Sequence, residues 1–151
     1  MAAIRILVVD DHELVREHIC SLLTTEPDLE VVCDASGAFD AIRKAEEYQP
    51  DVVLLDISIP ELNGLQAAPL IRKVAPKAEI LFVTAHDNPF FVREAFAAGA
   101  RGFLTKSQIS AELLNAVRMV NLKRKFVSSN INSAVLKTAT ERRSSTEPSV
   151  D

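Results

Sequence analysis

Short apolar runs recur along the chain, separated by stretches with helical spacing. Ile4 to Val9 is apolar except for Arg5 and ends in two aspartates. Leu29 to Ala35, Val52 to Leu55 and Ile80 to Val83 repeat the theme, and Gly102-Phe103-Leu104 is a shorter fifth run. Runs that are apolar at successive positions predict strands covered on both faces, as in a parallel sheet. Between them lie stripes at intervals of three and four. These are Leu14, Val15, Ile19, Leu22 and Leu23; then Ala38, Ala41, Ile42 and Ala45; then Val92, Ala95 and Phe96; then Leu113, Leu114, Val117 and Val120. Each predicts a helix with one buried face. Asn88-Pro89 supplies a cap and a first-turn proline, Gly99 a stop, and Ser110 is placed to cap the last stripe. A further helix is expected from Gly64 to Ala75, with Pro69 about a turn inside it. Proline in a helix interior costs ~3 kcal/mol, so this helix is expected to be kinked or to start late. Strict alternation of strands and helices predicts an α/β fold, a doubly wound five-stranded parallel sheet with five helices.

Composition narrows the class. The chain has 151 residues, 48% hydrophobic and 25% charged, with two cysteines and a net charge of −4. These are globular values. Two cysteines make no disulfide scaffold, and no apolar stretch approaches the ~20 residues of a membrane span. The first ten residues do not read as a signal peptide. The acidic balance argues against direct nucleic-acid binding. A soluble cytoplasmic protein is expected, without a membrane partner. The composition changes near the end. Residues 138–151 contain only Ala139 and Val150 as apolar residues, with six Ser or Thr and five charged residues. Such a segment is too polar to offset its ordering entropy and is expected to be a disordered tail. Residues 123–137 are expected to be a connector opening with Lys123-Arg124-Lys125. Ile131, Val135 and Leu136 are spaced for one extra helix that Ser128 or Ser129 would cap. The packed domain is then expected to span residues 1–122.

In a doubly wound sheet the ligand site lies at the carboxyl ends of the strands, where strand order reverses. With the order 2-1-3-4-5, the first strand delivers Asp10-Asp11 there and the third delivers Asp56. The fourth delivers Thr84, and Thr105-Lys106 follow the fifth. Three converging carboxylates repel one another unless a cation joins them. Oxygen-only ligands favour Mg²⁺, which keeps several waters and accepts a phosphoryl oxygen. Asp56 then becomes a candidate nucleophile forming an aspartyl-phosphate, with Thr84 and Lys106 holding the other phosphoryl oxygens.

These residues carry a resemblance. The segments Ile6-Leu7-Val8-Val9-Asp10-Asp11-His12, Asp51 to Pro60, Asn63-Gly64, Val83-Thr84-Ala85 and Ala98 to Lys106, in this order and spacing, resemble the receiver domain of two-component response regulators. Within that group they resemble the NarL/FixJ-like (LuxR-type) subfamily. The resemblance covers roughly residues 4–122 and implies a flavodoxin-like sheet. It implies that Asp56 is the phospho-acceptor and that Asp10, Asp11, Asp56 and the backbone carbonyl of Ser58 bind Mg²⁺. Thr84 and Lys106 would contact the phosphoryl group, and Phe103 would occupy the aromatic switch position. The donor would be a sensor histidine kinase or a histidine phosphotransfer protein. The face of helix four, strand five and helix five would carry the signal to a partner or a homodimer. Such a chain is a switch with self-phosphorylation and autodephosphorylation rather than an enzyme acting on a separate substrate. Phe103 stands where the family commonly has Tyr. A helix-turn-helix domain usually follows in this subfamily, and residues beyond 122 are too few and too polar to supply one.

Other residues admit plainer readings. His12 suits a surface or capping role, and His18 the edge of the core. Cys20 and Cys33 suit buried free thiols. Asn63-Gly64 suits a loop turn. Phe90-Phe91 put more apolar surface at a helix start than solvation requires. Ser58 and His86, each two positions beyond a site residue, are placed to flank attacking water and tune phosphoryl lifetime. Two alternatives to a phospho-switch remain: the receiver part of a DNA-binding transcriptional regulator, and a Mg²⁺-dependent phosphohydrolase with an aspartyl nucleophile. The second is disfavoured, because haloacid-dehalogenase-type enzymes carry an Asp two residues after the nucleophile. Here Asp10 is followed by Asp11-His12 and Asp56 by Ile57-Ser58.

Overall fold

A computed structural model describes residues 2–131. The elements alternate as β1 (Ile4–Val9), α1 (Glu13–Leu23), β2 (Leu29–Ala35), α2 (Ala38–Tyr48), β3 (Val52–Leu55), α3 (Gly64–Val74), β4 (Glu79–Thr84), α4 (Pro89–Ala97), β5 (Gly102–Thr105), α5 (Ile109–Asn121) and β6 (Phe126–Val127). All strand pairs are parallel, in the order β2-β1-β3-β4-β5-β6. Alternate strand residues feed two cores. Leu7, Val9, Val53, Leu55, Ile80, Phe82 and Phe103 pack with the buried faces of α2, α3 and α4. Ile6, Val8, Val52, Leu54, Leu81, Val83 and Leu104 pack with α1 and α5. The α/β doubly wound fold is therefore as expected.

The sheet has six strands, one more than expected. The added β6 lies on the outer edge of β5, with Gly102 opposite Phe126 and Phe103 opposite Val127. Packing accordingly continues past residue 122, and Ile131 is 7% exposed. The extra helix that Ser128 or Ser129 would cap falls on residues beyond 131, outside the described ones, and Ser128 itself bonds to β5. Its N–H donates to the Phe103 carbonyl at 3.0 Å and its hydroxyl accepts the Thr105 N–H at 2.7 Å. The expected helix positions Val135 and Leu136 and the tail 138–151 lie outside the described residues.

Helix ends show which local signals prevailed. Asn88 accepts the Phe90 N–H at 2.8 Å and Pro89 opens α4. Gly99 follows α4 with φ +97°, a conformation that a side chain would strain. Ser110 does not cap α5. A 3₁₀ turn over Lys106–Gln108 feeds the helix directly, and Gln108 takes the cap position. Helix α3 does not start late: it begins at Gly64 and runs through Pro69. Asn63 and Gln66 form a reciprocal capping box at 2.9 and 3.0 Å. Pro69 lies on the exposed face, where water can take the carbonyl it frees, while Ala67, Ala68 and Ile71 bury the opposite side.

His18 is exposed on α1 rather than at the core edge, and Leu14 is 80% exposed despite its place in the apolar stripe. Cys20 and Cys33 are free and half-buried. Burial, opposed by Lys44 and assisted by Asp34, pushes the Cys33 thiol up to about 11. No described helix is long and apolar enough to cross a membrane.

Candidate functional site

Parallel strands end together, so β1, β3, β4 and β5 deliver their last residues to one edge of the sheet. Asp10 follows β1 and is 1% exposed; Asp56 follows β3 and is 2% exposed. Their loops are held by the sheet itself. The Asp56 N–H donates to the Val9 carbonyl at 3.1 Å, and the Asp10 N–H donates to the Ala35 carbonyl at 3.1 Å. Arg16, from the first turns of α1, donates to the Asp10 carbonyl at 2.7 Å. The backbone at both acids is thereby anchored to the sheet and to α1.

Lys106 enters from the end of β5. Its Nζ donates to Asp56 Oδ2 at 2.8 Å and lies 3.0 Å from Asp10 Oδ2. Burial alone would lower the lysine pKa. The hydrogen bonds and charges of Asp56 and Asp10 outweigh that and raise it above its ordinary 10.5. The ammonium therefore remains protonated at neutral pH. His12 caps the other side: its N–H donates to Asp10 Oδ1 at 2.8 Å. Its Nδ1 is 3.3 Å from Asp10 Oδ1 and 3.2 Å from Asp11 Oδ1. Asp11 is the more exposed acid.

One ligand atom from each of Asp10, Asp11, His12 and Asp56 lies within 4.8 Å of the others. Three carboxylates facing one ammonium leave two negative charges uncompensated. Asp10 Oδ2 is buried, and its partner among the described residues is the Lys106 ammonium at 3.0 Å, which it shares with Asp56. Buried carboxylates sharing one ammonium, with a charge deficit of two, fit a divalent cation with oxygen ligands.

Thr84 is fully buried at the end of β4. Its hydroxyl accepts the His86 N–H at 3.3 Å and, among the described residues, has no hydrogen bond to Asp56 or Lys106. Ser58, two residues beyond Asp56, donates its N–H to Asp56 Oδ1 at 3.3 Å. Its hydroxyl is 2.9 Å from His86 Nε2. The His86 ring stacks on Phe91 of α4 with centroids 4.4 Å apart, and Phe90 meets Phe91 edge-on at 5.3 Å. Part of the apolar surface at the start of α4 is thus used by His86, although Phe90 remains exposed. Phe103 is wholly buried in the middle of β5.

Two positioning residues emerge from the β3–α3 loop. Gly64 is more than a turn residue. A Cβ there would lie 2.2 Å from the Asp56 carbonyl oxygen, so only glycine lets α3 start against the back of Asp56. Glu61 holds φ +82° and accepts the Phe39 N–H at 2.9 Å, tying the loop to the N-terminus of α2. A contact between residues 22 apart leaves no local signal in the sequence.

Comparison with known proteins agrees with this geometry. Residues 6–118 match the family described as the response regulator receiver domain. The transcriptional regulatory protein DegU of Brevibacillus brevis is 36% identical over 117 residues, 78% of this chain and 50% of DegU. The response regulator GacA of Pseudomonas viridiflava is 37% identical over 128 residues, 85% of this chain and 60% of GacA. The chain thus spans 50–60% of the length of these relatives. Among solved structures, a LuxR-family two-component response regulator from Aurantimonas sp. SI85-9A1 superposes with a TM-score of 0.82 at 34% identity, covering 95% of this chain and all of that one. The signal receiver domain of the response regulator NarL from Mycobacterium tuberculosis gives 0.78 at 33%, covering 82% of this chain and all of that one. The paired acids after β1, the single acid after β3 and the lysine after β5 are thus set in the family's own sheet, and the chain belongs to the response regulator receiver domains of two-component systems.

Proposed function

We propose that this chain accepts a phosphoryl group on Asp56 from a phosphohistidine of a sensor kinase or phosphotransfer protein. The observation that carries the reading is the buried Asp56 carboxylate held by Lys106 at 2.8 Å, with the buried Asp10 carboxylate sharing the same ammonium at 3.0 Å. With Oδ2 occupied by Lys106, Oδ1 has, among the described residues, the long Ser58 contact alone and is the oxygen placed to attack. The Oδ1–P bond forms as the P–N bond breaks, and the donor imidazole leaves with the bonding pair. Asp10, Asp11, Asp56 and the Ser58 carbonyl would hold Mg²⁺, which when bound offsets the charge of the phosphoryl oxygens. Lys106 stays protonated and is placed to take one of those oxygens. Thr84 requires its hydroxyl to turn from the His86 N–H to take another, and that turn gives the buried Phe103 reason to move with it.

Leu14, exposed just after the acid pair, offers an apolar contact to a docking donor helix. The output is a change at α4, β5 and α5 felt by a partner or a second copy. Its curated relatives include a transcriptional regulatory protein. A receiver serving a DNA-binding regulator is therefore the second reading for the whole protein. Incubation with Mg²⁺ and acetyl phosphate tests the central step. Intact mass should show one added phosphoryl group on wild type and none on Asp56→Asn; equal addition to both would reject it.

A further inference from the structure

The expected output face is not bare. After α5 the chain turns at Lys123, whose φ is +65°, and runs back across the face made by α4, β5 and α5. Lys123 Nζ reaches the buried Glu79 at 3.1 Å. Lys125 Nζ sits 4.7 Å above the Phe96 ring of α4. Phe126 and Val127 pair with β5. The Ser129 N–H donates to Glu112 of α5 at 3.1 Å. One short segment therefore touches all three elements.

Its tightest bonds are to Phe103 and Thr105 of β5. The Ser128 N–H donates to the Phe103 carbonyl at 3.0 Å, and the Ser128 hydroxyl accepts the Thr105 N–H at 2.7 Å. Thr105 Oγ1 donates to Asn130 Oδ1 at 3.0 Å. Thr105 immediately precedes Lys106, which holds Asp56. Ile131 completes the same apolar cluster that buries Phe103. A displacement of Lys106 toward a phosphoryl group, or of the Phe103 ring, acts directly on these bonds.

We propose that residues 123–131 form an intramolecular strap that covers the α4–β5–α5 face and is loosened when Asp56 is phosphorylated. The strap rests on the reading of Asp56 as phospho-acceptor. It is the regulated element: the face becomes available to a second copy or a partner only as the strap leaves it. The two states differ by contacts on this one segment, which is what a ligand-biased switch requires. Linkage makes the effect reciprocal in direction, so weakening the strap favours binding at Asp56.

Amide hydrogen exchange on the full chain tests this, with Mg²⁺ and beryllofluoride as the phosphoryl mimic. Beryllofluoride binding is followed separately by fluorine resonance. Wild type should exchange about tenfold faster at the Thr105 and Ser128 amides when beryllofluoride binds, and Asp56→Asn should not respond. Binding without any change at these amides overturns the strap and leaves the phosphorylation reading intact; no binding to wild type overturns both. Asn130→Ala, at an exposed position, should speed strap exchange without ligand and leave beryllofluoride binding as tight as in wild type or tighter. Unchanged strap exchange, or weaker beryllofluoride binding, would also overturn the proposal. Glu112→Gln, which weakens only the Ser129 latch, should act in the same direction more weakly, and slower strap exchange in it would count against the strap.

Discussion

The Ser58 hydroxyl and His86 Nε2 stand 2.9 Å apart, bridging the loop after β3 to the loop after β4 at the mouth of the Asp56 pocket. The pair is expected to flank the approach of water to a phosphorylated Asp56. The double variant Ser58→Ala, His86→Ala should therefore shorten the aspartyl-phosphate lifetime, by roughly two- to tenfold, the range set by one lost hydrogen bond. Decay of the intact-mass phosphoryl adduct measures it. An unchanged rate removes the pair from any account of phosphoryl lifetime.

Lys106 is the ammonium that directly pairs the two buried carboxylates. Lys106→Met leaves them facing each other and should lower stability in EDTA by about 1–3 kcal/mol. Mg²⁺ should then raise the Tm of the variant more than that of wild type, because it replaces the lost charge. The pH dependence follows from the raised lysine pKa. In wild type the ion-pair contribution is whole below the ordinary lysine value of 10.5 and is lost as pH rises through the higher folded value. Thermal melts from pH 9 to 12 should show that loss setting in above 10.5 in wild type and not in Lys106→Met.

Gly64 and Gly37 make a matched pair. A Cβ at Gly64 meets the Asp56 carbonyl oxygen at 2.2 Å, whereas one at Gly37 meets the flexible Glu61 carboxylate at 3.0 Å. Gly64→Ala should cost about 2–4 kcal/mol and reduce acetyl-phosphate labelling, since α3 or Asp56 has to move. Gly37→Ala should cost under about 1 kcal/mol. Urea denaturation of both variants compares the two costs.

Pro69 removes a backbone donor from an exposed face of α3 without making a buried contact of its own. Pro69→Ala restores the donor in a helix already started by the Asn63–Gln66 box. It should gain about 1–3 kcal/mol in chemical denaturation. A loss of stability would mean that the proline sets a bend on which the packing of Ala67, Ala68 and Ile71 depends.

Residues at the carboxyl ends of the strands were readable because parallel strands deliver those ends to one edge. That geometry brings Asp10, Asp56, Thr84 and Lys106 together from sequence positions up to 96 apart. The Ser58–His86 approach follows the same rule, each lying two residues beyond a strand-end residue. Strand β6 was not readable: two residues after three cations give no periodicity, and only its bonds to β5 define it. The Ser128 contact was not readable either: its hydroxyl takes the Thr105 N–H, a donor 23 residues away that only the fold brings near. Leu14 looked like core because an exposed apolar residue at helical spacing cannot be told from a buried one. Glu61 left no local trace, since its partner at the start of α2 comes from the fold.

Phosphoryl transfer to Asp56 would turn one particular carboxylate into an acyl phosphate. Treatment of the acetyl-phosphate-labelled chain with sodium borohydride reduces an acyl phosphate to the alcohol, and peptide mass spectrometry then locates it. The account predicts homoserine at position 56, dependent on Mg²⁺ and absent without the donor. Reduction at Asp10 or Asp11 instead, or a borohydride-resistant phosphate ester on Ser58, would contradict it.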